Sequence, residues 1–261
     1  MQERGGAEFL VSLNSWLIQQ ILTQSSALSN QVCKHCGATG TGNYCNNCGQ
    51  SFQLKRITVA GIIHEIFHLF THFDKGFVYT FKKLVTNPGI MQKEYLEGHR
   101  IKHQKPFSMF FICATVAALI FYWINRALIT YYEIGDQAAA SFFQHYMVML
   151  QIVLLPIYAG ISRLIFYDSK YNYAEIIILL LYMLSVALLF SALIQLLRFI
   201  WPDLETRFIE LPVILAYGII TNNFFFDDGR KWITIVKSAI TIAACFLLAG
   251  FIQDWLIEFL F

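Results

Sequence analysis

Apolar stretches long enough to cross a bilayer follow one another from Phe107 to the C-terminus. About 20 apolar residues, each rising about 1.5 Å in a helix, cover the roughly 30 Å of hydrocarbon in a membrane. Only 14% of the 261 residues are charged, whereas a soluble domain has about 25%. These features predict an all-α polytopic membrane protein with about five transmembrane helices.

Five spans give the most consistent count. The predicted spans cover residues 107–128, 142–161, 174–197, 208–226 and 232–256. The fourth has the weakest apolar character, because it contains Glu210 and two consecutive asparagines, Asn222 and Asn223. Counts of four or six spans stay open as alternatives.

Positive charge is concentrated just before the first predicted span. Between Phe52 and Lys105 the sequence has nine Lys or Arg residues and four Asp or Glu residues. Since cytoplasmic segments are enriched in Lys and Arg, this segment is predicted to be cytoplasmic, where it can contact anionic lipid headgroups. With five spans the C-terminus then lies outside, and the protein is predicted to reside in the cytoplasmic (inner) membrane.

Four cysteines before residue 50 follow a zinc-ribbon pattern. They form two Cys-x-x-Cys pairs, Cys33 with Cys36 and Cys45 with Cys48, and a glycine follows each pair. Such pairs present four thiolates to Zn²⁺ in a tetrahedron, and a shell of four protein ligands is structural rather than catalytic. The alternatives are another metal or disulfides, although disulfides need an oxidising compartment.

The chain therefore divides into four predicted parts. They are an amphipathic N-terminal helix (1–30), a zinc ribbon (31–51), basic amphipathic interfacial helices (52–105) and a transmembrane helical domain (106–261). In the third part, Asn87-Pro88-Gly89 predicts a turn. The turn separates a helix that begins near Phe77 from a short helix over residues 91–97, and both are expected to lie in the membrane interface.

A second metal motif is possible in the basic region. His64, Glu65 and His68 match the His-Glu-x-x-His pattern, in which two histidines bind zinc and the glutamate activates water. A third ligand is required, and His72 or Asp74 are the near candidates. The alternatives are that His64, His68 and His72 form the polar face of an interfacial helix, or that they serve a different metal or proton role.

Several polar side chains fall at membrane depth. Gln151, Gln195 and Glu210 are the candidates for a polar track, because polar groups in a span are costly and often functional. The alternatives are hydrogen bonds between helices for the glutamines and an interfacial position for Glu210 and for Glu175.

The sequence argues against nucleotide and nucleic-acid binding. It has no Gly-rich phosphate loop, no dinucleotide fingerprint and no nucleophile elbow. The ribbon has Lys34 but no basic stripe with interleaved aromatic residues.

Short motifs accompany the ribbon in a fixed order. They are Arg56-Ile57-Thr58, Asp74-Lys75-Gly76-Phe77, Thr80, Pro88-Gly89, Glu94-Tyr95, Gly98-His99-Arg100, Pro106, Leu155-Pro156 and Tyr171-Asn172-Tyr173-Ala174-Glu175. In this order the chain resembles an uncharacterised bacterial family of zinc-ribbon integral membrane proteins, classed as a domain of unknown function. His99 departs from the family, which has Lys or Arg there. The layout is more loosely similar to the five-span Yip family.

The resemblance implies a cytoplasmic ribbon on a helical membrane domain and supplies no activity. We therefore carry three hypotheses. The first is a non-enzymatic membrane protein whose structural zinc ribbon docks a cytoplasmic protein. The second is a small transporter or channel with a polar intramembrane track, and the third is a membrane metallopeptidase that uses His64, Glu65 and His68.

Overall fold

The computed structural model divides the chain into two compact units, Met1–Lys55 and Arg56–Phe261. It describes residues 31–53, 56–59, 61, 76–133, 137–226 and 230–260. The amphipathic helix predicted for residues 1–30 lies outside the described residues.

A short β-hairpin organises the described part of the first unit. Strand β1 (Gln31–Val32) pairs antiparallel with strand β2 (Thr39–Gly40). Further along, an antiparallel bridge joins Tyr44 to Ser51. The hairpin and the bridge each close around one Cys-x-x-Cys turn.

The described part of the second unit is helical. In chain order its helices are α1 (Phe77–Thr86), α2 (Ile90–Glu97), α3 (Pro106–Tyr132), α4 (Gln137–His145), α5 (Met147–Ile165), α6 (Tyr173–Gln195), α7 (Arg207–Phe225) and α8 (Lys231–Leu260), and a 3₁₀-helix, Leu196–Phe199, continues α6. Five of them, α3, α5, α6 with its extension, α7 and α8, are long and apolar enough to cross a membrane. The predicted count of five membrane-length helices is confirmed for the described residues, and these helices indicate a membrane protein. The inner membrane and the orientation stay predictions.

The second span begins later than predicted. We expected it to start at residue 142, but α4 ends at His145 and α5 begins at Met147. The sequence pattern predicts that the aromatic pair Phe142-Phe143 lies in the second span. In the structure, Phe143 stacks on Phe121 of α3 with ring centroids 5.0 Å apart. The pair therefore belongs to a separate short helix that packs on α3.

Helix α6 is the centre of the bundle. It contacts α3, α5, α7, α1 and α2, and its residues are apolar around the whole circumference, as expected of an enclosed helix. The most extensive contact is with α3, and Ala114 and Ala117 of α3 are fully buried. Small side chains of this kind allow two membrane helices to approach closely.

Helices α1 and α2 pack on protein. We expected their apolar sides to lie in the membrane interface, but Leu84, Met91 and Tyr95 are buried in the same core as α3 and α6. A buried hydrogen-bond chain fixes this arrangement. The Gln104 N–H donates to Thr80 Oγ1 at 2.7 Å, and the Gln104 carbonyl accepts from the Tyr182 hydroxyl of α6 at 2.6 Å. Contact of this region with lipid headgroups stays a prediction.

Gly89 in the predicted turn lies directly against α7. Its φ is +80°, a conformation that side-chain-bearing residues rarely adopt. A Cβ placed there would overlap the Thr221 carbonyl and lie 2.8 Å from the Phe224 Cβ. Glycine is therefore required by both the backbone conformation and the helix contact.

We expect Gly89→Ala to destabilise the protein by more than about 2 kcal/mol, since the left-handed backbone costs about 1–2 kcal/mol and overpacking adds about 1–3 kcal/mol. Thermal unfolding of the detergent-purified protein measures the effect. Gly160→Ala is the matched control, because a Cβ there meets no atom within 4 Å. Equal melting temperatures for the two variants would contradict this role of Gly89.

Candidate functional site

The two Cys-x-x-Cys turns have the same backbone geometry. In the first, the Gly37 N–H donates to the Cys33 carbonyl at 2.8 Å, and in the second the Gly49 N–H donates to the Cys45 carbonyl at 2.8 Å. Gly37 and Gly49 have φ angles of +73° and +76°, which glycine adopts without steric cost. The glycine after each pair is therefore what allows the chain to fold back around its sulfurs.

The four sulfurs converge on one point. All four Sγ atoms lie within 4.8 Å of one another, with Cys33 and Cys48 3.5 Å apart and Cys36 and Cys45 3.6 Å apart. Four sulfurs bound at about 2.3 Å in a tetrahedron lie about 3.8 Å apart, which these distances approach. A disulfide needs about 2.05 Å, and all four cysteines are free. The residues therefore fit a metal ion.

The electrostatics of the cluster also favour a cation. The pKa of Cys36 is lowered to about 6, mainly by a hydrogen bond with the Ala38 backbone and further by Asn47 and the neighbouring cysteines, against the opposing effect of desolvation. At Cys48 the Gln50 backbone acts in the same direction, but desolvation and the neighbouring thiols raise the pKa to about 12. Crowded sulfurs cannot all ionise without a compensating positive charge, and a divalent metal ion supplies that charge.

The second predicted metal site cannot be placed. His64, His68 and His72, with Glu65, lie outside the described residues, so this site stays a prediction. Within the part of the chain that the structure describes, the four cysteines are the group of three or more potential ligands close enough to hold a metal ion.

The membrane unit contains a cavity of about 920 Å³ whose wall includes Gln151, Gln195 and Glu210. The Gln195 amide Nε2 donates to Glu210 Oε1 at 3.2 Å and to Thr206 Oγ1 at 2.8 Å. The three polar residues predicted from the sequence thus meet in one cavity, with a direct contact between Gln195 and Glu210.

Two arginines at the same end of the cavity were missed in the sequence. Arg198 donates to Asn125 Oδ1 at 3.2 Å, and Arg207 forms a two-point ion pair with Asp254 of α8. The sequence predicts that both arginines lie in a loop, because they flank the connection between α6 and α7. Their position at span ends next to acidic residues was the available signal.

Glu175 lies at the N-terminus of α6. Its carboxylate oxygens accept from Arg56 Nε at 2.8 Å and Nη2 at 2.9 Å, and this contact raises the pKa of Arg56. Glu175 also exchanges backbone and side-chain hydrogen bonds with Asn172 in a capping box. Asn172 Nδ2 in turn donates to the Ile57 carbonyl at 3.2 Å. The segment just after the ribbon module is thereby attached to the first turn of α6.

Comparison with known proteins gives one similarity. A family model described as "Protein of unknown function (DUF3667)" matches residues 74–118, a stretch that includes α1, α2 and the first half of α3. No curated protein and no solved structure matches the chain. The similarity supports a likeness to a family of unknown function over this stretch. The bacterial source and the likeness to the Yip family stay predictions.

We expect the purified protein to contain one zinc ion per chain and the double variant Cys33→Ser/Cys36→Ser to contain none, because two thiolates do not complete the shell. Elemental analysis measures this ratio. Cys113→Ser is the control, since Cys113 is buried in α3 away from the ribbon sequence, and it should retain the metal. Zinc that persists in the double variant would instead support a site at His64, His68 and His72.

Proposed function

We propose that this protein is a non-enzymatic integral membrane protein whose structural zinc ribbon docks a cytoplasmic protein. The observation that carries the proposal is the convergence of four Sγ atoms within 4.8 Å. Four protein ligands fill the shell of a zinc ion and leave no position for water or substrate. Zinc is proposed because two Cys-x-x-Cys turns form its usual tetrathiolate site.

The surface of the ribbon supports a docking role. Val32 and Tyr44 are 64% and 66% exposed, although they belong to a module of about 20 residues with little apolar surface to spare. Exposed large apolar side chains are common at protein interaction sites, and tyrosine is a frequent interface anchor. The proposed contact therefore centres on the exposed apolar side chains beside the metal turns.

The attachment of Arg56 supports a connection between docking and the membrane unit. Arg56 lies shortly after the ribbon in the sequence, and its side chain forms an ion pair with Glu175 on the central helix α6. The positive charge before the first span supports a cytoplasmic position for the ribbon and an inner-membrane location. In this proposal the basic segment also contacts anionic headgroups.

We expect Tyr44→Ala to reduce recovery of the ribbon's partner by more than about tenfold, the effect of losing about 1.4–2 kcal/mol at an aromatic anchor. Quantitative mass spectrometry of proteins copurified with the full chain measures recovery. Thr41→Ala is the matched control, because Thr41 is also exposed in the same module. Metal content should remain at the wild-type level in both variants.

Loss of the metal provides the second arm of this experiment. The variant Cys33→Ser/Cys36→Ser should lose both metal and partner, since a module of this size does not fold without its ion. If neither this variant nor Tyr44→Ala changes the set of copurified proteins, the docking proposal is wrong.

A small transporter is the second candidate function, and the 920 Å³ cavity with its Gln195–Glu210 contact favours it. The lining between the polar ends of the cavity is mostly apolar, with Met183, Leu188 and Phe246 among its residues. An apolar passage opposes the movement of bare ions, because it offers no replacement for their hydration shells. The structure thus supports a transporter more than an ion channel.

We expect the wild-type protein to carry no steady ion current in a planar lipid bilayer, because the middle of the cavity is apolar. Electrical recording of the reconstituted full chain tests this expectation, with a pore-forming peptide as the positive control. A selective current that disappears in Glu210→Gln would establish the channel alternative instead.

A further inference from the structure

We infer that the cavity in the membrane unit binds a single-chain amphiphile whose head group, at the Glu210 end, carries both an ammonium and a phosphate group. Like the transporter candidate, this inference takes the cavity as a binding site, and it rests on that proposal in this respect alone. It does not depend on the ribbon or its partner.

The cavity has the dimensions of a chain-shaped ligand. Helix α6 and its 3₁₀ extension line it from Leu179 to Arg198, a rise of about 28 Å at 1.5 Å per residue. The volume of about 920 Å³ is near the upper end of the roughly 300–1,000 Å³ typical of small-molecule sites. A space of this length and volume accommodates one extended hydrocarbon chain.

The middle of the cavity is chemically suited to hydrocarbon. Its lining there is mostly aliphatic, aromatic or sulfur-containing, with Met183, Leu184, Leu188, Ile214 and Phe246, and includes the hydroxyl-bearing residues Tyr158 and Ser191. A polar solute would lose most of its hydration in this section and gain few hydrogen bonds in return. A free amino acid, sugar or ion therefore does not fit the length of the cavity, whereas an alkyl chain does.

Charge is confined to one end. Among the described lining residues, every charged one lies near the α6–α7 connection or near the C-terminus of α8. They are Arg198, Asp203, Glu205, Arg207, Glu210, Asp254 and Glu258. The opposite end has neutral polar groups, Ser162 and Asn222, which are 5% and 4% exposed. The head group of an amphiphile therefore belongs at the charged end, and water suits the neutral one.

The hydrogen-bonding groups at the charged end of the cavity match a ligand that has both hydrogen-bond donors and acceptors. Gln195 Oε1 is a buried acceptor and Arg198 Nε a buried donor, and neither has a hydrogen-bond partner among the described residues. The Glu210 carboxylate receives a hydrogen bond from the Gln195 amide, and no basic side chain within the described ranges forms an ion pair with it. An ammonium can donate to Glu210 and Gln195, while a phosphate oxygen can accept from Arg198.

The balance of charge favours an ammonium in the head group. Five carboxylates and two guanidinium groups line this end, and the guanidinium of Arg207 is already paired with Asp254. A head group with phosphate alone would meet mostly negative charge, and like charges at close range cost binding free energy. A zwitterionic head group satisfies the carboxylates and Arg198 together.

Helix α8 offers a route from the bilayer. Only 17% of its span is buried, compared with 67% for the span formed by α6. Ion pairs attach its two ends, Lys237 to Asp168 at 2.9 Å and Asp254 to Arg207. Between them, a Cβ at Gly250 in the cavity wall would meet no atom within 4 Å. The cavity is thus bordered by a membrane-length helix of which only a small share is buried in the protein.

Binding of palmitoyl lysophosphatidylethanolamine to the full-length protein in detergent tests the inference. Native mass spectrometry is expected to show one bound molecule per chain, with at least tenfold weaker binding of palmitoyl lysophosphatidylglycerol, which lacks the ammonium. Glu210→Gln should weaken the binding of the ethanolamine lipid at least tenfold. Glu94→Gln, in α2, is the matched charge control and should bind as the wild type does.

A second pair of variants tests the position of the chain. Gly250→Phe places a ring at the cavity wall and should abolish binding, whereas Gly160→Phe should not, since Gly160 has equal space for a Cβ but does not line the cavity. Thermal unfolding confirms that each variant is folded. If Gly250→Phe does not fold, the binding measured for Glu210→Gln tests the inference.

Three results would overturn the inference. They are equal binding of the two lysolipids, unchanged binding in both Glu210→Gln and Gly250→Phe, and transport of a small polar solute without binding of either lipid. Binding of the ethanolamine lipid without its transfer between leaflets would support the inference and remove the transporter candidate.

Discussion

Hydrocarbon offers no hydrogen-bond partner, and the membrane unit is organised by this constraint. Several hydroxyl and amide groups in the spans turn back to a carbonyl one helical turn earlier. The Ser185 hydroxyl donates to Leu181 at 2.7 Å, and Asn125 Nδ2 donates to Phe121 at 2.8 Å. Other polar groups of the spans line the cavity, Gln151 and Gln195 among them. The cavity therefore collects part of the polarity that lipid cannot accept.

Helix α6 joins the two polar features of the membrane unit. Its N-terminus holds Glu175, which binds Arg56 just after the ribbon sequence. Its other end leads through Gln195 to Arg198 and the charged part of the cavity. Most residues between these ends are buried, and close-packed protein interiors transmit strain. The attachment of Arg56 and the cavity wall are thus parts of one structural element.

Much of the fold was predictable from the sequence, because membrane helices need long apolar runs and Cys-x-x-Cys metal sites need a fixed spacing between their ligands. The five membrane-length helices and the convergence of Cys33, Cys36, Cys45 and Cys48 follow from these local rules. The break between α4 and α5 was not predictable, since no proline or glycine marks Tyr146. Neither was the partner of Glu175, because Arg56 is 119 residues away in the sequence. Long-range ion pairs of this kind depend on how helices pack, which hydropathy does not encode.

The membrane helices differ greatly in length. Helix α8 has 30 residues and helices α5 and α7 have 19 each, or about 45 Å and about 28 Å of axial rise. A bilayer core of about 30 Å matches the shorter pair without tilt, whereas the longer helix must incline or extend into the headgroup layer. Bilayer thickness consequently acts unevenly on this bundle. A thicker membrane draws α8 upright while it leaves the two short helices mismatched, so lipid composition bears directly on the angle at which α8 crosses its neighbours.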